Sequence, residues 1–249
     1  FMRAFSVVSS RLVTSRGFLV FFYALVSIPF LVAFPYVRAL NNPNELVRVY
    51  TVMALFENHT YRVDEQVENL GHTEDLARVN GHYAMVKAPG VVHLGLPAYA
   101  LFSAVIAPAV GLRYPVPALP DEDAAERARL DWTRGATWTL RLLTSQLPCL
   151  LFLIWFERYL RAHSRDVVLR CATVVAAGLG TNFLAYAHMF ASHSLYAVTA
   201  FYAFARTEEA LRGRRSRWRA ACVGFALSAC VALEYQSLFM SVVLAVFAL

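Results

Sequence analysis

Charged residues are scarce in this sequence. They make up 16% of its 249 residues, whereas hydrophobic residues make up 58% and aromatic residues 14%. A soluble domain of this length cannot hide so large an apolar fraction in one core, so the composition excludes an ordinary soluble protein. The lipid bilayer is therefore the expected solvent, and membrane lipids are the expected surroundings.

The chain also lacks any cysteine arrangement that is typical of a metal site or a redox pair. There is no CxxC spacing, and every cysteine falls inside an apolar segment. They are interpreted as small buried hydrophobic residues. These residues are Cys149, Cys171, Cys222 and Cys230.

The formal net charge of +6 is typical of some nucleic-acid-binding proteins, but its distribution is not. The arginines cluster at the ends of apolar segments rather than along one polar face. The excess charge is therefore explained by membrane topology, and no nucleic-acid partner is expected.

Long apolar runs recur along the chain. About 20 apolar residues cross a hydrocarbon layer roughly 30 Å thick, which predicts an all-α, polytopic membrane protein. Phe1 precedes the first methionine and the chain stops inside an apolar run, so an N-terminal fragment of a longer protein is expected. The predicted spans are 17–37, 136–156, 167–186, 194–205, 220–233 and one that starts at Ser237.

The positive-inside rule places three arginine clusters in the cytoplasm, and this decides the topology. The clusters contain Arg3, Arg11 and Arg16, then Arg158, Arg161, Arg165 and Arg170, then Arg212, Arg214, Arg215, Arg217 and Arg219. If the apolar segment 91–112 crossed the membrane, the last two clusters would lie outside. We therefore predict that this segment, which glycine and proline interrupt, lies along the membrane or dips into it. The alternative, that it crosses, stays open.

This topology makes residues 38–134 an extracytoplasmic loop that carries juxtamembrane helices near 44–57 and 91–112, with further spans in 135–249. In the first of these helices, Glu45 lies in the first turn, where the helix dipole favours a carboxylate, and Arg48 follows one turn later. An ordinary helix cap and an exposed ion pair would give the same spacing. Arg141 is expected near the outer end of its span, where its side chain can extend (snorkel) to the interface or meet an anionic lipid.

The chain contains 22 arginines but only one lysine, Lys87. This bias indicates that position 87 requires a compact ammonium group, as direct contact with a phosphate would. Chance survival of a lysine that reaches the headgroups is the alternative. Glu234 closes an apolar stretch, and the predicted topology places it and His193 on the same side as the extracytoplasmic loop. The alternatives are a carboxylate that only marks the end of a span and a hydrogen-bonded interfacial histidine. Two acidic pairs and one acidic triplet are interpreted as solvated loop charges; they are Asp64-Glu65, Glu74-Asp75 and Asp121-Glu122-Asp123.

These residues occur in an order that resembles the GT-C superfamily of membrane glycosyltransferases. The similarity is to the branch that contains protein O-mannosyltransferases and lipid A aminoarabinose transferases, which is the branch like glycosyltransferase family 39. It covers most of the chain. The motifs that carry it are Asn-Pro-Asn-Glu-Leu at 42–46 with Arg48 and Tyr50, Gly-His-Tyr at 81–83, Lys-Ala-Pro-Gly at 87–90, Pro-Ala-Tyr-Ala-Leu at 97–101, the turn 186–193 and Glu234-Tyr235.

The resemblance implies a GT-C-like transmembrane helix bundle with its active site on the long first external loop. Glu45 would be the catalytic base, Lys87 and Arg48 would bind the donor phosphate, and His193, Glu234 and His82 would support substrate or a metal ion. The donor would be a sugar linked to polyprenyl phosphate, and the acceptor a hydroxyl of unknown identity. In a bacterium the site would face outward from the inner (plasma) membrane.

One departure from the family pattern concerns the cofactor. Relatives often have an acidic residue directly before the lysine, whereas this chain has Val86. A divalent metal ion therefore remains an open cofactor question. The alternatives to an enzyme are a non-catalytic polytopic membrane protein and a lipid or solute transporter, which would show internal repeats or charges in mid-span.

Overall fold

The computed structural model describes residues 16–32, 42–114, 121–213 and 216–248, which form mostly helices. Residues 33–37 of the first predicted span lie outside the described residues, as do Arg3, Arg11, Arg214 and Arg215. The helices are α1 (Arg16–Val32), α2 (Pro43–Glu57), α3 (Asp64–Leu70), α4 (Gly90–Ala109), α5 (Glu122–Leu160), α6 (Val167–Leu179), α7 (Asn182–Ala187), α8 (Ser192–Leu211), α9 (Arg217–Leu233) and α10 (Leu238–Ala248).

The mostly helical fold confirms the all-α prediction, and among the described residues one short β-hairpin accompanies the helices. Strand β1 (Leu76–Val79) pairs antiparallel with strand β2 (His82–Met85). Asn80 and Gly81 join them with positive φ angles of 52° and 88°, which the mirror-image hairpin turn requires and which this residue pair adopts most easily. The Asn-Gly pair was the sequence signal that would have predicted the hairpin.

Helix α5 is much longer than the predicted span 136–156. It runs for 39 residues from Glu122 to Leu160, so its length is about 58 Å, nearly twice the thickness of a hydrocarbon layer. It starts inside the predicted loop 38–134, whose last part is therefore helical. A π-helical stretch, Arg141–Gln146, interrupts it, and such stretches are frequent at functional sites.

The predicted span 167–186 is wrong as a single helix. Helix α6 ends at Leu179, and Thr181 caps α7 by accepting a hydrogen bond from the Phe183 amide at 3.1 Å. A hydroxyl at an N-cap satisfies one amide that the new helix leaves free, so the chain can restart in another direction. Apolar periodicity alone did not show this break.

The molecule has two polar ends separated by an apolar body. At one, the arginine end, the buried carboxylate of Glu157 binds Arg161 at 2.7 Å and Arg170 at 2.9 Å. At the other, the site end, Arg141 binds Glu45 at 2.5 Å. Arg141 and Glu157 both belong to α5 and are about 24 Å apart along its axis. That separation approaches the thickness of a hydrocarbon layer.

The outer surface of the bundle carries large apolar side chains. Phe225 on α9 and Phe239 on α10 are 77% and 79% exposed, and Phe21 on α1 is also mostly exposed. Extended apolar surface of this kind is typical of contact with lipid or with another protein. In the described part of the chain, two helices are long and apolar enough to cross a membrane, Gly90–Ala109 and Glu122–Leu160.

Helix α4 packs beside the N-terminal half of α5. A side chain added at Gly95 would meet Leu140, and one added at Gly135 would meet Phe102, so α4 passes from residue 140 toward residue 135 as it proceeds. That direction leads away from the arginine end. At its start, Gly90 touches the backbone of Ala232, where a Cβ atom would lie 2.5 Å from the carbonyl oxygen. This contact brings the Lys87-Ala88-Pro89-Gly90 segment against the last turn of α9.

Candidate functional site

Glu45 lies in the first turn of α2 and is only 1% exposed. Its Oε1 atom accepts hydrogen bonds from Arg141 Nε and from the Phe190 amide, both at 2.6 Å. Its Oε2 atom accepts from Arg141 Nη2 at 2.5 Å. The pair is bidentate, the geometry in which arginine binds a carboxylate most strongly. Arg141 therefore has a protein partner, Glu45, which the sequence did not indicate.

Arg48 lies one turn further along α2 and is 2% exposed. Its Nη1 atom donates to the backbone oxygen of Asn44 at 2.6 Å and to the Asn44 side-chain oxygen. Among the described residues, its Nε atom is buried and has no hydrogen-bond partner. A buried donor without a partner costs free energy. A bound ligand that placed an acceptor atom beside this guanidinium would therefore be stabilised.

The charge of Arg48 is balanced by acidic residues that do not bond to it directly. Burial lowers the pKa of the guanidinium below its ordinary value, and nearby carboxylates oppose that shift. Arginine nevertheless stays protonated in proteins. The carboxylates are those of Glu234, Asp75 and Glu45.

Lys87 binds Asp75, which sequence reasoning treated as a solvated loop charge. The Lys87 Nζ atom lies 3.1 Å from Asp75 Oδ2, and both side chains are partly exposed. Asp75 comes just before β1 and Lys87 just after β2, so the hairpin brings the two residues together. An acidic partner is thus present in space although Val86, the residue before the lysine, is apolar.

Glu234 ends α9 and faces the start of α8. The Ser192 hydroxyl donates a hydrogen bond to Glu234 Oε2, and His193 Nδ1 lies 3.8 Å from the same oxygen. The ring centroid of His193 is 4.6 Å from that of Tyr186, which orients the imidazole. About a quarter of the Glu234 side chain, 24%, is exposed.

These contacts connect the predicted site residues. Phe190 binds Glu45 and Ser192 binds Glu234, and the Cα atoms of residues 190 and 192 are at most about 7 Å apart. Arg48 interacts electrostatically with the carboxylates on both sides. We call this group the site cluster; it consists of Glu45, Arg48, Asp75, Lys87, Arg141, Ser192, His193 and Glu234.

Among the described residues, no hydrogen bond or ion pair connects His82 to the site cluster. Its Nδ1 atom lies 3.2 Å from Asp64 Oδ2, and the Tyr83 amide donates to Asp64 Oδ1 at 3.0 Å. The backbone hydrogen bond from Tyr83, followed by the bond from His82, lowers the pKa of the Asp64 carboxyl. Both residues therefore fasten β2 to the start of α3, and the predicted supporting role of His82 at the site has no geometric support.

The residues of the site cluster do not form a metal site as they stand. In the described ranges, no three histidine, cysteine, aspartate or glutamate side chains are placed to hold one ion. Glu45 already uses both oxygens on Arg141 and Phe190. Glu45 is therefore engaged by protein donors and is not grouped with His193 and Glu234 around a common ion.

The site cluster combines two kinds of groups that group-transfer chemistry uses. Arg48 and Lys87 are cations that can bind an anionic oxygen, and Glu234 is a partly exposed carboxylate that can accept a proton. Searches against protein-family profiles, curated protein sequences and solved structures give no significant match. Inference about function therefore rests on the residues and their geometry.

Proposed function

We propose that this protein is a membrane glycosyltransferase that moves a sugar from a polyprenyl-phosphate-linked donor to an acceptor hydroxyl. The observation that carries the proposal is Arg48, a buried guanidinium with an unpartnered Nε atom in the same cluster as Lys87. Two cations around one site are suited to a leaving phosphate. The resemblance of 42–46 and 87–90 to GT-C enzymes suggests a lipid-linked sugar as the carrier of that phosphate.

The proposed enzyme is a multi-pass membrane protein whose site cluster faces the extracytoplasmic side. The apolar outer surfaces of α1, α9 and α10 support several spans, and the arginine end is suited to the cytoplasm. Helix α4 is long enough to cross, yet its packing beside residues 135–140 of α5 supports the prediction that it does not. In a bacterium the site would then face outward from the inner membrane.

Cysteine labelling of sealed cells tests this topology. The variant Asp123→Cys places a thiol on an exposed position at the start of α5, and it should react with a membrane-impermeant maleimide from outside. Arg165→Cys, exposed at the arginine end, is the matched control and should react only after permeabilisation. Labelling of Asp123→Cys only in permeabilised cells would mean that α4 crosses the membrane.

Turnover of a lipid-linked sugar tests the function itself. Full-length protein in vesicles receives polyprenyl phosphate mannose or polyprenyl phosphate aminoarabinose, and release of free polyprenyl phosphate is measured. We expect release that depends on a membrane extract as the acceptor source. Nucleotide-linked sugars and vesicles without protein serve as controls and should give none.

Two results of this assay would contradict the proposal. Movement of the donor between leaflets without release of polyprenyl phosphate would identify a transporter. A complete lack of both release and movement would favour the non-catalytic alternative.

A further inference from the structure

The carboxylate that accepts the acceptor proton must have a free oxygen within reach of substrate. Glu45 does not meet this condition. Both of its oxygens accept bonds from Arg141, one also accepts from the Phe190 amide, and the side chain is 1% exposed. Arg141 is itself buried, so releasing Glu45 would leave two buried charges without partners.

Glu234 meets this condition. Its Oε2 atom accepts the Ser192 hydrogen bond, whereas its Oε1 atom accepts no hydrogen bond from any residue that the structure describes. The residue ends α9 in extended conformation, next to the segment that carries Lys87. In the part of the chain that the structure describes, the ionisable groups that interact with its carboxylate include His193, Arg48 and Tyr196.

Residues 190–192 connect the two carboxylates and indicate the structural role of Glu45. The Phe190 amide donates a hydrogen bond to Glu45, and two residues later the Ser192 hydroxyl donates one to Glu234. Ser192 also begins α8, and His193 follows it. The Glu45–Arg141 pair therefore fixes the backbone from which Ser192 and His193 reach Glu234.

We propose that Glu234 is the general base of the transfer, with His193 beside it, and that Glu45 is a positioning residue. This inference rests on the proposed function. The acceptor hydroxyl would give its proton to Glu234 while its oxygen forms a bond to the anomeric carbon of the sugar. The bond from that carbon to the phosphate oxygen would break, and the phosphate would leave with the electron pair beside Arg48 and Lys87.

Single substitutions in the full-length protein test the assignment through the pH dependence of donor turnover. The wild-type rate should fall toward acid pH, because the base becomes protonated. Glu234→Gln should lower the rate at neutral pH by about a hundredfold or more and remove this acid limb. Glu234→Asp, which keeps the carboxylate, should retain part of the rate and the acid limb.

Glu45→Gln is the matched variant, since it makes the same chemical change at the other carboxylate. It should lower the rate but keep the acid limb, and added formate should restore turnover in Glu234→Ala and not in Glu45→Ala. Wild-type kinetics in Glu234→Gln, or loss of the acid limb in Glu45→Gln, would overturn the assignment while leaving the glycosyltransferase proposal intact. Absence of turnover in the wild-type protein would instead overturn the proposed function and this assignment with it.

Discussion

Arg141→Gln is expected to destabilise the protein by about 3–5 kcal/mol, because it leaves the carboxylate of Glu45 buried without a cation. The two side chains are 10% and 1% exposed, so water cannot replace the lost partner. Glutamine can donate to one oxygen of Glu45, but it carries no charge. Thermal or denaturant unfolding of the purified protein in detergent measures the change.

The double variant Glu45→Gln with Arg141→Gln is expected to recover part of the lost stability. Two neutral amides can bond to one another, and neither is left as an unpaired buried charge. We expect a coupling energy of about 2 kcal/mol from the double-mutant cycle. Arg127→Gln is the control on the same helix, because its ion pair with Asp121 is well exposed and should contribute less than about 1 kcal/mol. Additive effects of the two site substitutions would show that Glu45 and Arg141 do not bind each other.

Helices and their approximate positions could be predicted from sequence because they depend on local pattern. The helix expected near 44–57 is observed as Pro43–Glu57, and the segment expected at 91–112 is helical over Gly90–Ala109. The break between α6 and α7 was missed, because Thr181 acts through one cap inside a continuous apolar run. The π-helical stretch 141–146 could not be predicted, because neither apolar periodicity nor a capping residue marks it in the sequence.

Ion-pair partners could not be predicted, because they depend on the tertiary fold. Glu45 and Arg141 are 96 residues apart in sequence, and nothing near either residue indicates the other. In sequence, Asp75 has the pattern of a solvated acidic residue, whereas in the structure the hairpin places it beside Lys87. Glu45, Lys87 and Glu234 could be selected as candidates from the sequence. Only the structure shows that Glu45 is buried in an ion pair, whereas Glu234 is partly exposed.

Lys87→Arg is expected to lower donor turnover on the order of a hundredfold while leaving stability almost unchanged. The ion pair with Asp75 is partly exposed, so keeping a positive charge there should hold stability within about 1 kcal/mol. Turnover is more sensitive, because an ammonium can approach one phosphate oxygen closely whereas a guanidinium is a wide planar fork. A displacement of about 1 Å at a reacting group can cost on the order of a hundredfold in rate.

The measurement compares donor turnover and unfolding temperature of purified full-length protein at equal concentration. The control is Arg127→Lys, an exchange of the same two side chains at an exposed position of α5, which should change neither quantity. Lys87→Gln should be at least as inactive as Lys87→Arg, because it also removes the charge that we propose neutralises the leaving phosphate. Wild-type turnover in Lys87→Arg would show that position 87 needs only a positive charge to pair with Asp75, and a role in direct phosphate contact would then be excluded.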